Sequence, residues 1–80
     1  MALGDEPTVI GRTPDCTIAL SDPQVSRHHA EVRRGEFGFR IVDLGSTNGT
    51  QVNGVVVKEH ALADGDVIVV GATSLRYEES

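Results

Sequence analysis

Aromatic residues are scarce in this sequence: there is no Trp, one Tyr and two Phe, so aromatics make up 4% of 80 residues. Val, Ile, Leu and Ala must therefore fill the core. A single cysteine, Cys16, excludes an internal disulfide. No apolar run approaches the roughly 20 residues of a membrane span, and no segment reads as a signal peptide. A cytoplasmic location is the expectation, which makes the match of Asn48-Gly49-Thr50 to a glycosylation sequon accidental. Positive charge is also short, with seven Lys and Arg against twelve Asp and Glu and a net charge of −5. Such a deficit argues against general nucleic-acid binding, which needs a basic surface to neutralise phosphates.

What remains is enough for one small domain. A chain of this size buries only about 60–65% of the surface its unfolded form exposes, so each buried strand matters. Hydrophobic residues at 39% suit a globular domain and not a disordered tail. The basic residues are also unevenly placed: Arg12, Arg27, Arg33 and Arg34 fall between positions 12 and 34, while acids crowd towards both ends. A local cationic site on an acidic body fits a small anionic ligand better than a long polyanion.

Apolar residues come in short runs separated by turn residues. Thr8-Val9-Ile10 precedes Gly11; Thr17 to Leu20 precedes Ser21-Asp22-Pro23; Ala30 and Val32 alternate with Glu31 and Arg33. Phe39 and Ile41, Val67 to Val70, and Leu75 and Tyr77 continue the pattern. These are strand signatures, rich in β-branched residues. Asn53-Gly54 between two valine-containing runs predicts a tight hairpin with positive φ at both positions, and Gly35 to Gly38 predicts another. Lys58 to Ala63 is the one helix candidate, short and poorly patterned. Many short strands predict an all-β sandwich or barrel. We take residues 1–7 as a short N-terminal segment and 8–80 as the domain.

Three loop segments carry the candidate chemistry: Gly11-Arg12, Ser26-Arg27-His28-His29, and Gly45-Ser46-Thr47-Asn48-Gly49-Thr50. Each joins backbone-permissive residues to guanidinium, hydroxyl or amide donors, the groups a phosphate dianion accepts from. If residues 21–28 run back to the end of the molecule where Arg12 lies, then Arg12, Ser26 and Thr47 share one end. The spacing allows that route without requiring it. Cys16 and the three histidines lack a recognised zinc spacing, and no metal or cofactor is expected. Ser26, His29 and Asp43 could be imagined as a hydrolase triad, but no nucleophile-elbow motif accompanies them, and no P-loop or dinucleotide motif is present.

The ordered set Gly11-Arg12, Ser26-x-x-His29 and Asn48-Gly49 resembles the signature of the forkhead-associated (FHA) domain. Ser-Arg-His-His-Ala at 26–30, Leu-Gly-Ser-Thr-Asn-Gly-Thr at 44–50, Val-Asn-Gly at 52–54 and Ala-Asp-Gly-Asp-Val-Ile at 63–68 extend the likeness over residues 8 to 78. The resemblance implies a β-sandwich of two mainly antiparallel sheets that binds phosphothreonine in partner proteins and is not an enzyme. By position, Arg12, Ser26 and Thr47 would hold the phosphate. Arg27 would line the peptide groove, Asn48 would pair with the peptide backbone, and Ser46 would be a weaker contact. Gly11, His29 and Gly49 would shape the loops. The family often acts beside Ser/Thr kinases, so a kinase or its substrate is an expected partner; no nucleic acid or membrane is. The family's eleven strands include two before the one that resembles Thr8 to Gly11, and seven residues precede it here. Without those two strands, Ser74 to Glu78 is expected to form an open sheet edge, a pairing hazard that raises edge-strand or domain-swapped homodimerisation.

Overall fold

The computed structural model describes residues 6–36 and 38–79. It has nine strands among them: β1 Thr8–Gly11, β2 Ile18–Ala19, β3 Ala30–Gly35, β4 Gly38–Asp43, β5 Thr50–Val52, β6 Val55–Val57, β7 Glu59–Ala61, β8 Val67–Val70 and β9 Thr73–Arg76. One sheet runs β2-β1-β3-β4-β7 and the other β6-β5-β8-β9. All pairs are antiparallel except β1 with β2. This is the expected sandwich of two mainly antiparallel sheets.

The period of two explains which side chains face inward. In β3, Ala30 and Val32 are buried while Arg33 is exposed; in β5, Thr50 and Val52 are buried; in β8, Ile68 and Val70 are. The apolar members of this set form one core between the sheets with Ile10, Val25, Ile41, Leu62 and Tyr77. Each fully buried aliphatic side chain contributes about 1.5–3 kcal/mol, so this aromatic-poor core rests on several small terms. Phe39 and Tyr77 supply one tilted ring contact, with centroids 6.3 Å apart. Burial, followed by the Glu79 carboxylate that accepts its hydroxyl proton, pushes the Tyr77 phenol up to about 12.

The predicted Asn53-Gly54 hairpin is present, with φ of 51° and 84°. Asn53 also locks that turn onto the neighbouring strand: its Oδ1 accepts from Val67 N at 3.0 Å and its Nδ2 donates to Asp66 at 3.0 Å. The other predicted hairpin joins β3 to β4, with Gly35 opposite Gly38. Phe37 lies outside the described residues, as do residues 1–5 of the N-terminal segment. The helix candidate is a strand instead. β7 pairs Ala61 with Arg40 and Glu59 with Val42. Six residues cannot repay helix nucleation, whereas a strand there gives the backbone a ready ladder on β4.

The route to the loop end also differs from the expected one. Because β2 runs parallel to β1, with Ile10 opposite Ile18 and Gly11 opposite Ala19, residues 12–17 make the return. β2 then heads back towards Arg12, and Leu20 N donates to Gly11 O at 2.8 Å. The segment 20–29 therefore begins beside the end of β1 without needing to span the sandwich. At the other side, β9 is an edge of its sheet among the described residues, as expected for Ser74 onward. A cavity of about 280 Å³ opens beside it, lined by Ile10, Ile18, Val32, Ile68, Leu75 and Tyr77 among others.

Candidate functional site

Three loops meet at one end of the sandwich: 12–17 after β1, 20–29 before β3, and 44–49 between β4 and β5. Gly11 makes the first approach. A Cβ there would lie 2.0 Å from Arg27 O and 2.7 Å from Cys16 Sγ, so the need for glycine is steric. The closeness lets Arg12 N donate to both Ser26 O and Arg27 O at 3.1 Å. The Arg12 side chain is anchored too, its Nε donating to Val25 O at 3.0 Å. That bond fixes the guanidinium while its terminal nitrogens stay on an exposed residue.

Ser26 and Thr47 come together directly, with Thr47 N donating to Ser26 Oγ at 3.1 Å. A hydroxyl has one proton to give. Since Oγ here accepts from a backbone N–H, its own O–H is left for a further acceptor. Asn48 Nδ2 reaches Gln24 O at 2.8 Å, which joins the same two loops a second time. Arg27, Thr47 and Asn48 are exposed and Ser26 is half-buried. The structure thus brings Arg12, Ser26, Thr47 and Asn48 to one place, with Arg27 beside them.

His29 lies beneath, wholly buried. Its Nδ1 accepts from Ser26 N at 3.0 Å and its Nε2 faces Gly49 O at 2.7 Å. A backbone N–H can only donate and a carbonyl can only accept, so the proton sits on Nε2. His29 is therefore a strut between the Ser26 and Gly49 loops. The imagined Ser26–His29–Asp43 relay does not form, because the ring meets the Ser26 backbone and not its hydroxyl.

Asp43 organises the third loop. Its Oδ2 accepts from Gly45 N at 3.0 Å and Ser46 N at 3.1 Å, and its Oδ1 from Thr50 Oγ1 at 2.7 Å and from the Ser46 hydroxyl. Partial burial works to raise its carboxyl, but those four donors outweigh it and hold it below the ordinary value. Ser46, expected as a weaker peptide contact, gives its proton to Asp43 and accepts from Gly49 N at 3.0 Å. That leaves its hydroxyl shaping the loop. Gly49, at φ 82°, supplies the left-handed turn into β5.

Asp22 was missed by the sequence reading, which took Ser21-Asp22-Pro23 only as a strand terminator. It is buried and accepts from Gln24 N at 2.9 Å, Ala72 N at 2.8 Å and Thr73 Oγ1 at 2.8 Å. The Gln24 N–H first, then the Thr73 hydroxyl, hold it below the usual carboxylate range. The local turn to Gln24 was legible as an Asx motif; the tether to residues 72 and 73, fifty positions away, was not.

The FHA domain family model matches residues 8–71. The oxoglutarate dehydrogenase inhibitor of Corynebacterium jeikeium is 46% identical over 75 residues, covering 94% of this chain and 52% of that protein. The glycogen accumulation regulator GarA of Mycolicibacterium smegmatis is 48% identical over 74 residues, covering 91% of this chain and 47% of that one. The chain thus spans about half the length of these relatives. A solved structure from work on phosphothreonine-dependent FHA domain interactions superposes with a TM-score of 0.92 at 41% identity, covering 98% of this chain and 81% of that one.

Proposed function

Because this chain belongs to the FHA domain family, we propose that it recognises phosphothreonine in partner proteins through the three-loop end of its sandwich. Arg12, Ser26 and Thr47 hold the phosphate, Arg27 lines the peptide path, and Asn48 pairs with the peptide backbone. Gly11, His29 and Gly49 set the loops. The observation that carries this reading is the closure of the loops on one another around Ser26, through the Thr47 N, Arg12 N and Asn48 Nδ2 bonds. Among the described residues no partner takes the Ser26 O–H or the terminal nitrogens of Arg12, so both are available to a ligand.

The ligand's phosphate carries about −1.5 to −2 charges near neutral pH. Each hydrogen bond to such a group contributes about 1.5–3 kcal/mol. A few of these, less the cost of association and of ordering a peptide, give an affinity near micromolar, about −8 kcal/mol. Higher salt weakens it by screening. The module acts by docking and not by catalysis, and its partner is a phosphorylated protein in the cytoplasm, a Ser/Thr kinase or a kinase substrate. Calorimetry with matched phosphothreonine and unphosphorylated peptides tests the proposal. Arg12→Ala should abolish measurable binding of the phosphorylated one; unchanged affinity in that variant would refute the pocket.

A second reading rests on β9. It is an edge of its sheet among the described residues, and the apolar cavity adjoins it, which suits antiparallel pairing with a second copy. Light scattering that finds only monomer across a wide concentration range disposes of it.

A further inference from the structure

Outside the residues assigned to the peptide, one cluster stands between the same two loops. Asp15 and Cys16 lie on the loop 12–17 and His28 on the loop 20–29. Their ligand atoms, a carboxylate oxygen, Sγ and a ring nitrogen, lie within 4.8 Å of one another. Asp15 Oδ2 and His28 Nε2 are 2.9 Å apart. No sequence motif announces this set, because His28 meets Asp15 and Cys16 only where the loop 12–17 bonds to Arg27 O.

We propose that Asp15, Cys16 and His28 form a zinc-binding site that clasps the β1–β2 loop to the β2–β3 loop. Thiolate, imidazole and carboxylate together match the ligand preferences of Zn²⁺ and not those of Mg²⁺ or Ca²⁺. Tetrahedral zinc with bonds of about 2.0–2.3 Å separates its ligand atoms by about 3.3–3.8 Å. The carboxylate–imidazole contact must therefore open slightly and the thiol close in. The side chains of Asp15 and His28 are 66% and 52% exposed, so both can move towards the buried Cys16 at little cost.

The thiol must give up its proton, and the structure makes that proton expendable. Cys16 Sγ donates to Arg27 O at 3.1 Å. That same carbonyl also receives Arg12 N at 3.1 Å, Thr13 Oγ1 at 3.2 Å and Thr13 N at 3.5 Å. A carbonyl has two lone pairs, so withdrawing the Sγ–H bond strands nothing. Asp15 is exposed, and its carboxylate already accepts from His28. Binding releases the Cys16 proton to solvent, moves the His28 ring proton from Nε2, where it now faces Asp15, to Nδ1, and places Zn²⁺ against one thiolate, one carboxylate and a neutral imidazole. His29 does not compete, since both its ring nitrogens are engaged. His60 is exposed and remote in sequence, and serves as the control.

The test is Zn²⁺ titration of the 80-residue chain by calorimetry, paired with Co²⁺ titration read by the thiolate-to-cobalt charge-transfer absorbance. We expect one ion per chain, a charge-transfer band, and proton release on binding. Cys16→Ser should remove the band, and Cys16→Ser and His28→Ala should each weaken Zn²⁺ by about tenfold or more. His60→Ala should leave both readouts unchanged. Cys16→Ser keeps a donor for Arg27 O and His28 is exposed, so both variants should retain the wild-type circular dichroism and melting transition. Absence of saturable binding, a band that survives Cys16→Ser, or loss of binding in His60→Ala would each overturn the proposal.

Discussion

Replacing His29 by Phe isolates what the buried strut does. The ring volume is roughly kept, but Ser26 N loses its acceptor and Gly49 O its donor, bonds of 3.0 and 2.7 Å. His29 is wholly buried, so a Phe ring in its place would keep water out of the side from which both groups are now satisfied. Each stranded group costs about 1–3 kcal/mol, together about 2–6 kcal/mol. A chain of 80 residues at about 0.05–0.15 kcal/mol per residue has only about 4–12 kcal/mol in total. The variant should therefore unfold at much lower denaturant, with guanidinium melts followed by circular dichroism giving the difference. At low temperature, where the folded fraction can be measured and corrected for, the phosphothreonine peptide should bind at least about tenfold more weakly, equivalent to about 1.4 kcal/mol. The reason is that Ser26 and Gly49 no longer share a fixed separation. A stability change under about 0.5 kcal/mol together with unaltered peptide affinity would refute the strut argument.

Gly11→Ala should destabilise the fold by about 1–3 kcal/mol through overpacking and weaken the peptide, because the new Cβ would press on Arg27 O and push the Arg12 backbone off Ser26; a wild-type melting temperature and titration would contradict this. Asp43 is held below the ordinary carboxylate value when folded, so its stabilising contribution is full above the unfolded pKa of about 3.9 and is lost as pH falls through the lower folded value. Denaturant unfolding at a series of pH values should show that loss below about pH 4 in the wild type, and a shallower acid slope in Asp43→Asn; superimposable profiles would count against it. Peptide affinity should also fall as pH drops below about 6, where phosphate takes up its second proton, and a flat titration between pH 7 and pH 5 would argue against dianion recognition.

Much of this fold was legible because its signals are local. Alternation in Ala30 to Arg33 and the Asn53-Gly54 pair report on φ, ψ and burial within a few residues, and both appear as read. Lys58 to Ala63 misled because its composition suits a helix weakly, while the edge of β4, which decides its fate, is invisible in a linear pattern. The loop residues were found as an ordered set, but their hydrogen bonds were not. That Ser46 is turned inward depends on Asp43, three positions earlier. That Asp22 anchors the loop depends on Ala72 and Thr73, where β8 turns into β9 in the other sheet. Parallel pairing of β1 with β2 was likewise unreadable, because a two-residue strand carries no pattern at all.

The division of labour at the loop end follows from donor arithmetic. Backbone groups and buried acids consume donors inward: Asp43 takes four and Asp22 three. Those seven bonds, with the His29 strut, fix the loops before any ligand arrives, so the ordering cost of the protein side is met in folding and not in binding. Beside the exposed Asp15–His28 pair, the loops present outward the Arg12 fork, the Ser26 O–H, the Thr47 hydroxyl, the Asn48 amide and the Arg27 guanidinium. A carboxylate brings one charge and two oxygens to such a set. A phosphate monoester brings nearly two charges and three terminal oxygens, enough to engage the fork and the hydroxyl at the same time. Discrimination against unmodified threonine is stronger still, since its hydroxyl would leave a preorganised cationic cluster without a counter-charge. Two of the twelve acids, Asp22 and Asp43, thus build the rigid frame from inside, while on a body of net charge −5 the arginines are the local exception that an anionic ligand can find.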